Sequence, residues 1–289
     1  IWYVFPSQTY IWKQEYFSGG SPRTMRNLWK NRKLSPSAVY HLRGIGVVLL
    51  CMLLFLAGSY YTKDQIVTVS TMQSQKELPV YCVQTEKPWV ALSFDAAWGN
   101  EDTQSILDIL ARHNIKVTFF MTGGWVDSYP EDVKRIAAAG HDLGNHSEHH
   151  KNMSQLSENQ QKEEITTVHE KVKALTGIDM DLFRPPYGDY NSQVIQNIKS
   201  CGYLPIQWDV DSLDWKDYGI DSIIQTVTEH RHLGNGSIIL MHNGAKYTAQ
   251  ALDTVITRLQ EKGYQIVPIS QLVSRENYTI DHEGRQIPG

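Results

Sequence analysis

Cysteine is scarce. Cys51, Cys82 and Cys201 are the three in 289 residues, too few for a disulfide-held scaffold. Cys51 sits inside an apolar run, and no nucleophile motif surrounds the other two; a Cys82–Cys201 bridge is the one pairing open outside a membrane. Positive charge is scarce over most of the length as well. The chain carries 27 Lys and Arg against 31 Asp and Glu. Seven of the bases (Lys13, Arg23, Arg26, Lys30, Arg32, Lys33 and Arg43) and one acid, Glu15, fall in residues 1–43, leaving 20 bases against 30 acids in the other 246 residues. No sustained basic face remains there, which argues against nucleic acid as a partner. Disorder is excluded too, because a content of 41% hydrophobic and 20% charged residues is that of a globular chain with a substantial core.

Charge is wholly missing from residues 44–61, GIGVVLLCMLLFLAGSYY. Eighteen uncharged residues approach the ~20 that cross a bilayer as a helix. The basic flank precedes the run, so the positive-inside rule places residues 1–43 in the cytoplasm and the remainder outside. A cleaved signal segment is the rival, since Ala57 and Ser59 have cleavage-like spacing; the uncleaved anchor is favoured, and a buried core helix is disfavoured because no polar face breaks the run. Met25 offers a more usual short basic region before the run, which leaves residues 1–24 as an upstream extension. Residues 62–87 are polar and irregular and read as a stalk, residues 88–273 as the folded domain, and residues 274–289 as a polar tail.

From residue 88 apolar runs alternate with helical patterns. Strands are expected at residues 90–94, 117–121, 142–145, 182–184, 204–208, 238–241 and 265–269, with helices at 103–113, 131–139, 158–175, 193–200, 220–231 and 249–262. Pro130 suits a helix start, and Gly140, Gly202 and Gly263 suit helix ends. Such repetition predicts parallel strands joined by helical crossovers, as an open sheet or a barrel. Polar residues follow the apolar runs: Asp95, His146, Arg184, Asp209, Asp211, Asp214 and His242. In α/β barrels catalytic groups gather at the carboxyl ends of the strands, so these residues are expected to meet at one mouth, as in an enzyme.

Several of them suggest chemistry. His146 and His150, four residues apart, would point the same way from one helical turn and ligate one divalent metal; a solvated histidine-rich loop is the plain alternative, and His149 is a less well spaced competitor. Asp95 ends the buried run Val-Ala-Leu-Ser-Phe and could serve as the base for a metal-bound water, or merely cap a loop. Arg184 could hold that carboxylate ionised. The stiff turn Pro185-Pro186-Tyr187-Gly188 makes the Tyr187 N–H the next free donor for an oxyanion. His242 ends another apolar run, and Asp209, Asp211 or Asp214 could raise its pKa so that it protonates a leaving amine. Trp98 and Trp215 could wall a sugar cleft or simply pack a core.

Taken in order, five motifs resemble those of the NodB-homology polysaccharide deacetylases, carbohydrate esterase family 4: Ser93-Phe94-Asp95, His146-Ser147-x-x-His150, Arg184-Pro185-Pro186-Tyr187-Gly188, Asp211-Ser212-Leu213-Asp214-Trp215 and Leu240-Met241-His242. The resemblance runs from about Pro88 to Val273, some 64% of the chain. It implies a distorted (β/α)7 barrel and metal-dependent hydrolysis of N-acetyl groups on a wall glycan such as peptidoglycan. It implies Asp95 as general base, His146 and His150 as ligands of a divalent metal, zinc first, and Arg184 as the group orienting Asp95. The Tyr187 N–H would stabilise the oxyanion, and His242 would be the general acid, tuned by Asp214 or, second, Asp211. Trp98, Pro186, Trp215 and Leu240 would shape the cleft. The expected partners are an N-acetylated glycan and, through residues 44–61, a bacterial membrane.

One position departs from the family. The base is usually followed by a second acid, the third metal ligand, and here that position is Ala96. Water, Asp95 itself or Glu101 would have to fill the gap. The loop Asp95-Ala-Ala-Trp-Gly resembles a bacterial subgroup linked to spore formation and wall modification. Ala96 also motivates a second reading, a non-catalytic glycan-binding member of the same fold. A third, a glycosidase using Asp95 and Asp214 as its carboxylate pair, leaves the histidine pair unexplained.

Overall fold

The structure, a computed structural model, describes residues 35–71 and 77–289. The chain divides into two units, Ile1–Gln73 and Ser74–Gly289. In the first, helix α1 (Pro36–Thr71) is continuous. It starts on Pro36, whose fixed φ suits a first helical position, with the Ser35 hydroxyl accepting the Ala38 N–H at 3.3 Å. Its stretch Pro36–Tyr60 is long and apolar enough to cross a membrane, with a mean hydropathy of 2.1. At 1.5 Å per residue this stretch reaches ~37 Å, more than a ~30 Å hydrocarbon layer. The helix exceeds the expected 44–61 run at both ends because nothing in the flanking sequence breaks it. Most of the basic segment lies outside the described residues.

The second unit opens with β1 (Cys82–Val83) and the long β2 (Trp89–Ala96), followed by α2 (Thr103–Arg112) and β3 (Thr118–Met121). Next come α3 (Gly123–Ser128), α4 (Pro130–Ala138), β4 (Asp142–Asn145), α5 (Glu158–Thr176), β5 (Leu182–Phe183), α6 (Ser192–Ser200) and β6 (Leu204–Pro205). The chain continues through β7 (Val210–Asp211), α7 (Ile220–Thr228), β8 (Ile238–Asn243), α8 (Thr248–Glu261), β9 (Gln265–Ile266) and α9 (Ile269–Leu272), ending in β10 (Tyr278–Ile280) and β11 (Arg285–Pro288). Neighbours in the order β6-β5-β4-β3-β2-β8-β7 are parallel, with β9 paired to the start of β2. This curled sheet wrapped by helices is a distorted α/β barrel, as the sequence led us to expect.

Alternation along β2 sorts its side chains between two environments. Val90, Leu92, Phe94 and Ala96 join the core beneath the helices, with Ile106, Leu110 and Ile256 among its members, while Ser93 and Asp95 are buried polar groups of the opposite face. Local signals agree with the elements. Helix α5 begins with a reciprocal Ser157–Gln160 capping box and ends at Gly177, whose φ of 75° is left-handed.

Two boundaries differ from expectation. Residues 77–87, read as stalk, belong to the domain, and so do residues 274–289, read as tail. Strand β11 pairs in parallel with β1 and antiparallel with β10. The fully buried Gln286 amide accepts Ser274 N–H at 2.7 Å and donates to Ser274 C=O at 2.9 Å. The segment before and through β1 also lies along the open side of this sheet, bridging Val80 to Ile206, just after β6, and Cys82 to Ser237, just before β8. The physical reason is the unpaired backbone at an open sheet edge, which a short polar segment can satisfy. Val80 is completely buried there. Val80→Ala is therefore expected to lower stability by roughly 2 kcal/mol, seen as a lower denaturant midpoint at unchanged slope; a linker valine would be silent. Cys82 and Cys201 are both free thiols.

Candidate active site

Strand register builds the site. Asp95 on β2 lies directly opposite His242 on β8. Asn145 on β4 lies opposite Phe183 on β5, so the next residues, His146 and Arg184, leave their strands side by side. The Arg184 N–H donates to Asn145 C=O at 2.9 Å and the His146 N–H to Met121 C=O at 2.9 Å. Residues distant in sequence thus reach one end of the sheet because successive strands share a direction.

Arg184 is fully buried. Its Nη1 donates to Asp95 Oδ1 at 2.6 Å, and its Nη2 to Ser93 Oγ at 2.8 Å and Gln207 C=O at 3.3 Å. The guanidinium lies 4.1 Å from the centre of the Phe120 ring. Burial alone would push the Asp95 pKa up, but Arg184, His146 and His242 outweigh it and hold the carboxyl below its ordinary value. The other oxygen, Oδ2, lies 3.4 Å from His146 Nε2.

His146 and His150 converge, although not on a helical turn. Residues 146–150 form a loop in which Ser147 and His150 take φ values of 68° and 52°, so the sequence expectation of a helix there was wrong. Left-handed backbone at non-glycine residues is costly and persists where surrounding contacts enforce it. The Asn145 side chain accepts the Ser147 N–H at 3.0 Å, and Ser147 Oγ accepts the His150 N–H at 3.1 Å. His149 turns away to Glu164, which accepts its N–H at 2.7 Å and lies 2.9 Å from its Nδ1. His146 Nδ1 lies 2.7 Å from Arg184 C=O, a bond that requires the proton on Nδ1 and leaves the Nε2 lone pair free. Burial lowers the His146 pKa to about 4 despite Asp95 nearby, and burial lowers that of His150 as well.

The two Nε2 atoms are 3.2 Å apart. Two nitrogens on one tetrahedral zinc at 2.0–2.1 Å would stand about 3.3 Å apart, so the pair suits two positions of a divalent ion. No group of three or more His, Cys, Asp or Glu side chains suited to a metal occurs among the described residues. Ala96 is buried in the helix-side core, and Glu101 lines a separate hollow with Asp102 and Lys246.

On the opposite wall, Asp214 is completely buried. Its Oδ1 lies 2.7 Å from His242 Nδ1, while its Oδ2 accepts the His242 N–H at 2.7 Å and Thr248 Oγ1–H at 2.6 Å. Burial opposes protonation of His242, yet Asp214, aided by Asp95 and Asp211, raises its pKa above the ordinary value. The Trp98 ring stacks on the imidazole at 4.9 Å. Of the other acids proposed as partners, Asp211 Oδ1 accepts Leu213 N–H at 2.8 Å, and Asp209 binds Ile238 N–H and Ser237 Oγ.

Asp95, His146, His150, Asp211 and His242 line a cleft of about 420 Å³, walled also by Trp98, Trp215, Leu240 and Tyr187. Tyr187 has a left-handed φ of 60°, and its ring meets His150 edge-on at 4.5 Å. Pro186 is buried and does not line the cleft. Sequence reasoning missed Trp208 as a wall, Ser93 and Gln207 around Arg184, and Thr248 beneath Asp214. For Ser93 a signal existed: it lies two residues before Asp95, on the same face of the strand.

Solved structures of the CE4 family share this fold. A CE4 family pseudoenzyme from Bacillus anthracis is 36% identical, with a TM-score of 0.65 over 68% of this chain and 69% of that one. A mutant of that protein with restored enzymatic activity is 37% identical, again at 0.65, covering 68% and 71%. The chain belongs to the polysaccharide deacetylase family, whose profile matches residues 83–206. The peptidoglycan-N-acetylmuramic acid deacetylase PdaA of Bacillus subtilis (strain 168) is 33% identical over 201 residues, 67% of this chain and 74% of that protein.

Proposed function

We propose that this chain hydrolyses N-acetyl groups on peptidoglycan or a related wall glycan, releasing acetate, with the catalytic domain outside a membrane anchored by α1. The observation that carries the reading is the pairing of an ionised carboxylate with a carboxylate-bound histidine on one rung of the barrel, Asp95 opposite His242. A divalent ion, zinc first, held by His146 and His150 would polarise the acetyl carbonyl and make water a better nucleophile. Asp95, kept ionised by Arg184, takes the proton from the attacking water. The Tyr187 N–H donates to the oxygen that becomes negative. His242, kept charged by Asp214, protonates the departing amine. Trp98, Trp208 and Trp215 offer faces for sugar rings. The test is acetate release from N-acetylated wall fragments with and without added zinc or cobalt; absence of release under every metal tried would defeat the reading.

The loop that carries the histidines is fastened by Glu164, which also lies 3.0 Å from Lys151 Nζ. Glu164→Gln weakens that clamp without touching either candidate ligand. Zinc affinity, measured against a competing chelator, is expected to fall roughly tenfold.

A second reading, glycan binding without catalysis, is favoured by Ala96, which leaves two protein nitrogens where a catalytic zinc usually has three ligands. It predicts fragment binding with no acetate, and tight zinc binding lost in His146→Ala would count against it.

A further inference from the structure

A groove of about 710 Å³ lies beside the cleft. The two share Trp208 and Asp211 as a common wall, so a molecule seated in the cleft can extend into the groove. The groove follows the seam between β6 and β7. The loop between α7 and β8 supplies His230, Arg231 and His232, and β11 supplies Arg285. One of its two arginines therefore comes from the C-terminal hairpin that folds back on β1.

The charges of this groove are unequally committed. Asp209 accepts Ile238 N–H at 2.8 Å on Oδ1 and Ser237 Oγ–H at 3.0 Å on Oδ2. Asp211 accepts Leu213 N–H at 2.8 Å. Glu283 is the remaining acid, on the exposed rim. Neither Arg231 nor Arg285 makes an ion pair or a side-chain hydrogen bond among the described residues. Two guanidiniums without partners, next to an indole shared with a proposed sugar cleft, suit a planar anion attached to a sugar. A carboxylate matches the fork of a guanidinium in both shape and charge.

We propose that the groove is a subsite for a carboxylate-bearing substituent of the glycan, received by Arg231 and Arg285, with Trp208 against the sugar that carries it. The proposal rests on the deacetylase reading for the placement of the sugar and adds selection for acidic over neutral glycans.

The test compares two probes on the full chain: a tetrasaccharide of alternating N-acetylglucosamine and N-acetylmuramic acid, whose lactyl ether bears the carboxylate, and the same fragment with its carboxylates amidated. Affinity is read by calorimetry and acetate release in parallel. Wild type is expected to bind the acidic form about tenfold more tightly, a preference that shrinks with added salt. R231Q/R285Q is expected to lose the preference while binding the amidated form as wild type does; R231K/R285K should retain part of it. Arg231 lies in an exposed loop, so R231Q alone tests the idea if the double variant does not fold, with a loss of about threefold expected for the acidic probe. Equal binding of both probes by wild type, or a preference that survives R231Q/R285Q, overturns the subsite. A clear preference without acetate release retains the subsite and rejects the deacetylase reading.

Discussion

Asp95→Asn should abolish nearly all acetate release, by roughly a thousandfold or more, because general-base assistance contributes about 10²–10⁴ and an amide cannot accept the proton. Fragment binding should change far less, so the loss should lie in kcat rather than KM. The substitution also strips a fully buried guanidinium of its counter-charge. Arg184 keeps Ser93 Oγ and Gln207 C=O, but leaving a buried charge unpaired costs about 3–5 kcal/mol. Thermal unfolding should therefore accompany the assay, so that lost catalysis is not confused with lost fold. The pH dependence provides a separate check. The folded-state pKa of Asp95 lies below its ordinary value, so its contribution to stability is present above the unfolded pKa, near 4, and is lost as pH falls through the lower folded value. Asp95→Asn should lack that acid-side loss. Acetate release equal to wild type would remove Asp95 from the mechanism.

How much of this was legible in the sequence depends on the length of the signal. Runs such as 90–94 and 238–241 are long enough to reveal buried parallel strands, and the polar residue that ends each run marks the mouth of the barrel. Strand β7 has two residues, too few for any period, and it was not foreseen. The β1, β10 and β11 sheet was missed for a related reason: its strands are two to four residues long, and they are fixed by pairing between opposite ends of the domain. Gln286 reads as a surface residue until its amide is seen bonded twice to Ser274. The histidine loop shows a different limit. The four-residue spacing pointed to convergence, but the backbone achieves it with two left-handed residues and a clamp from Glu164, none of which a spacing rule contains. The groove along the seam could not be foreseen either, since it joins Arg231 to Arg285 across two connections that only the curl of the sheet brings together.

Asp214→Asn should produce the second large effect and separate positioning from structure. Asp214 does not line the cleft; it acts through His242, which it holds at both Nδ1 and the backbone N–H. With a neutral amide in its place, the strongest influence that raises the imidazole pKa is gone while burial still lowers it, so that pKa should fall. A general acid must carry its proton, so activity is lost as pH rises through that pKa, and the alkaline limb of the profile should move to lower pH. At neutral pH the expected drop is about 10²-fold, with fragment affinity nearly preserved. A structural role alone would lower stability and activity together and leave the limb where it is. Thr248 Oγ1 donates to the same carboxylate oxygen as the His242 N–H, yet Thr248→Val should move the limb far less than Asp214→Asn, because the charge that raises the pKa remains.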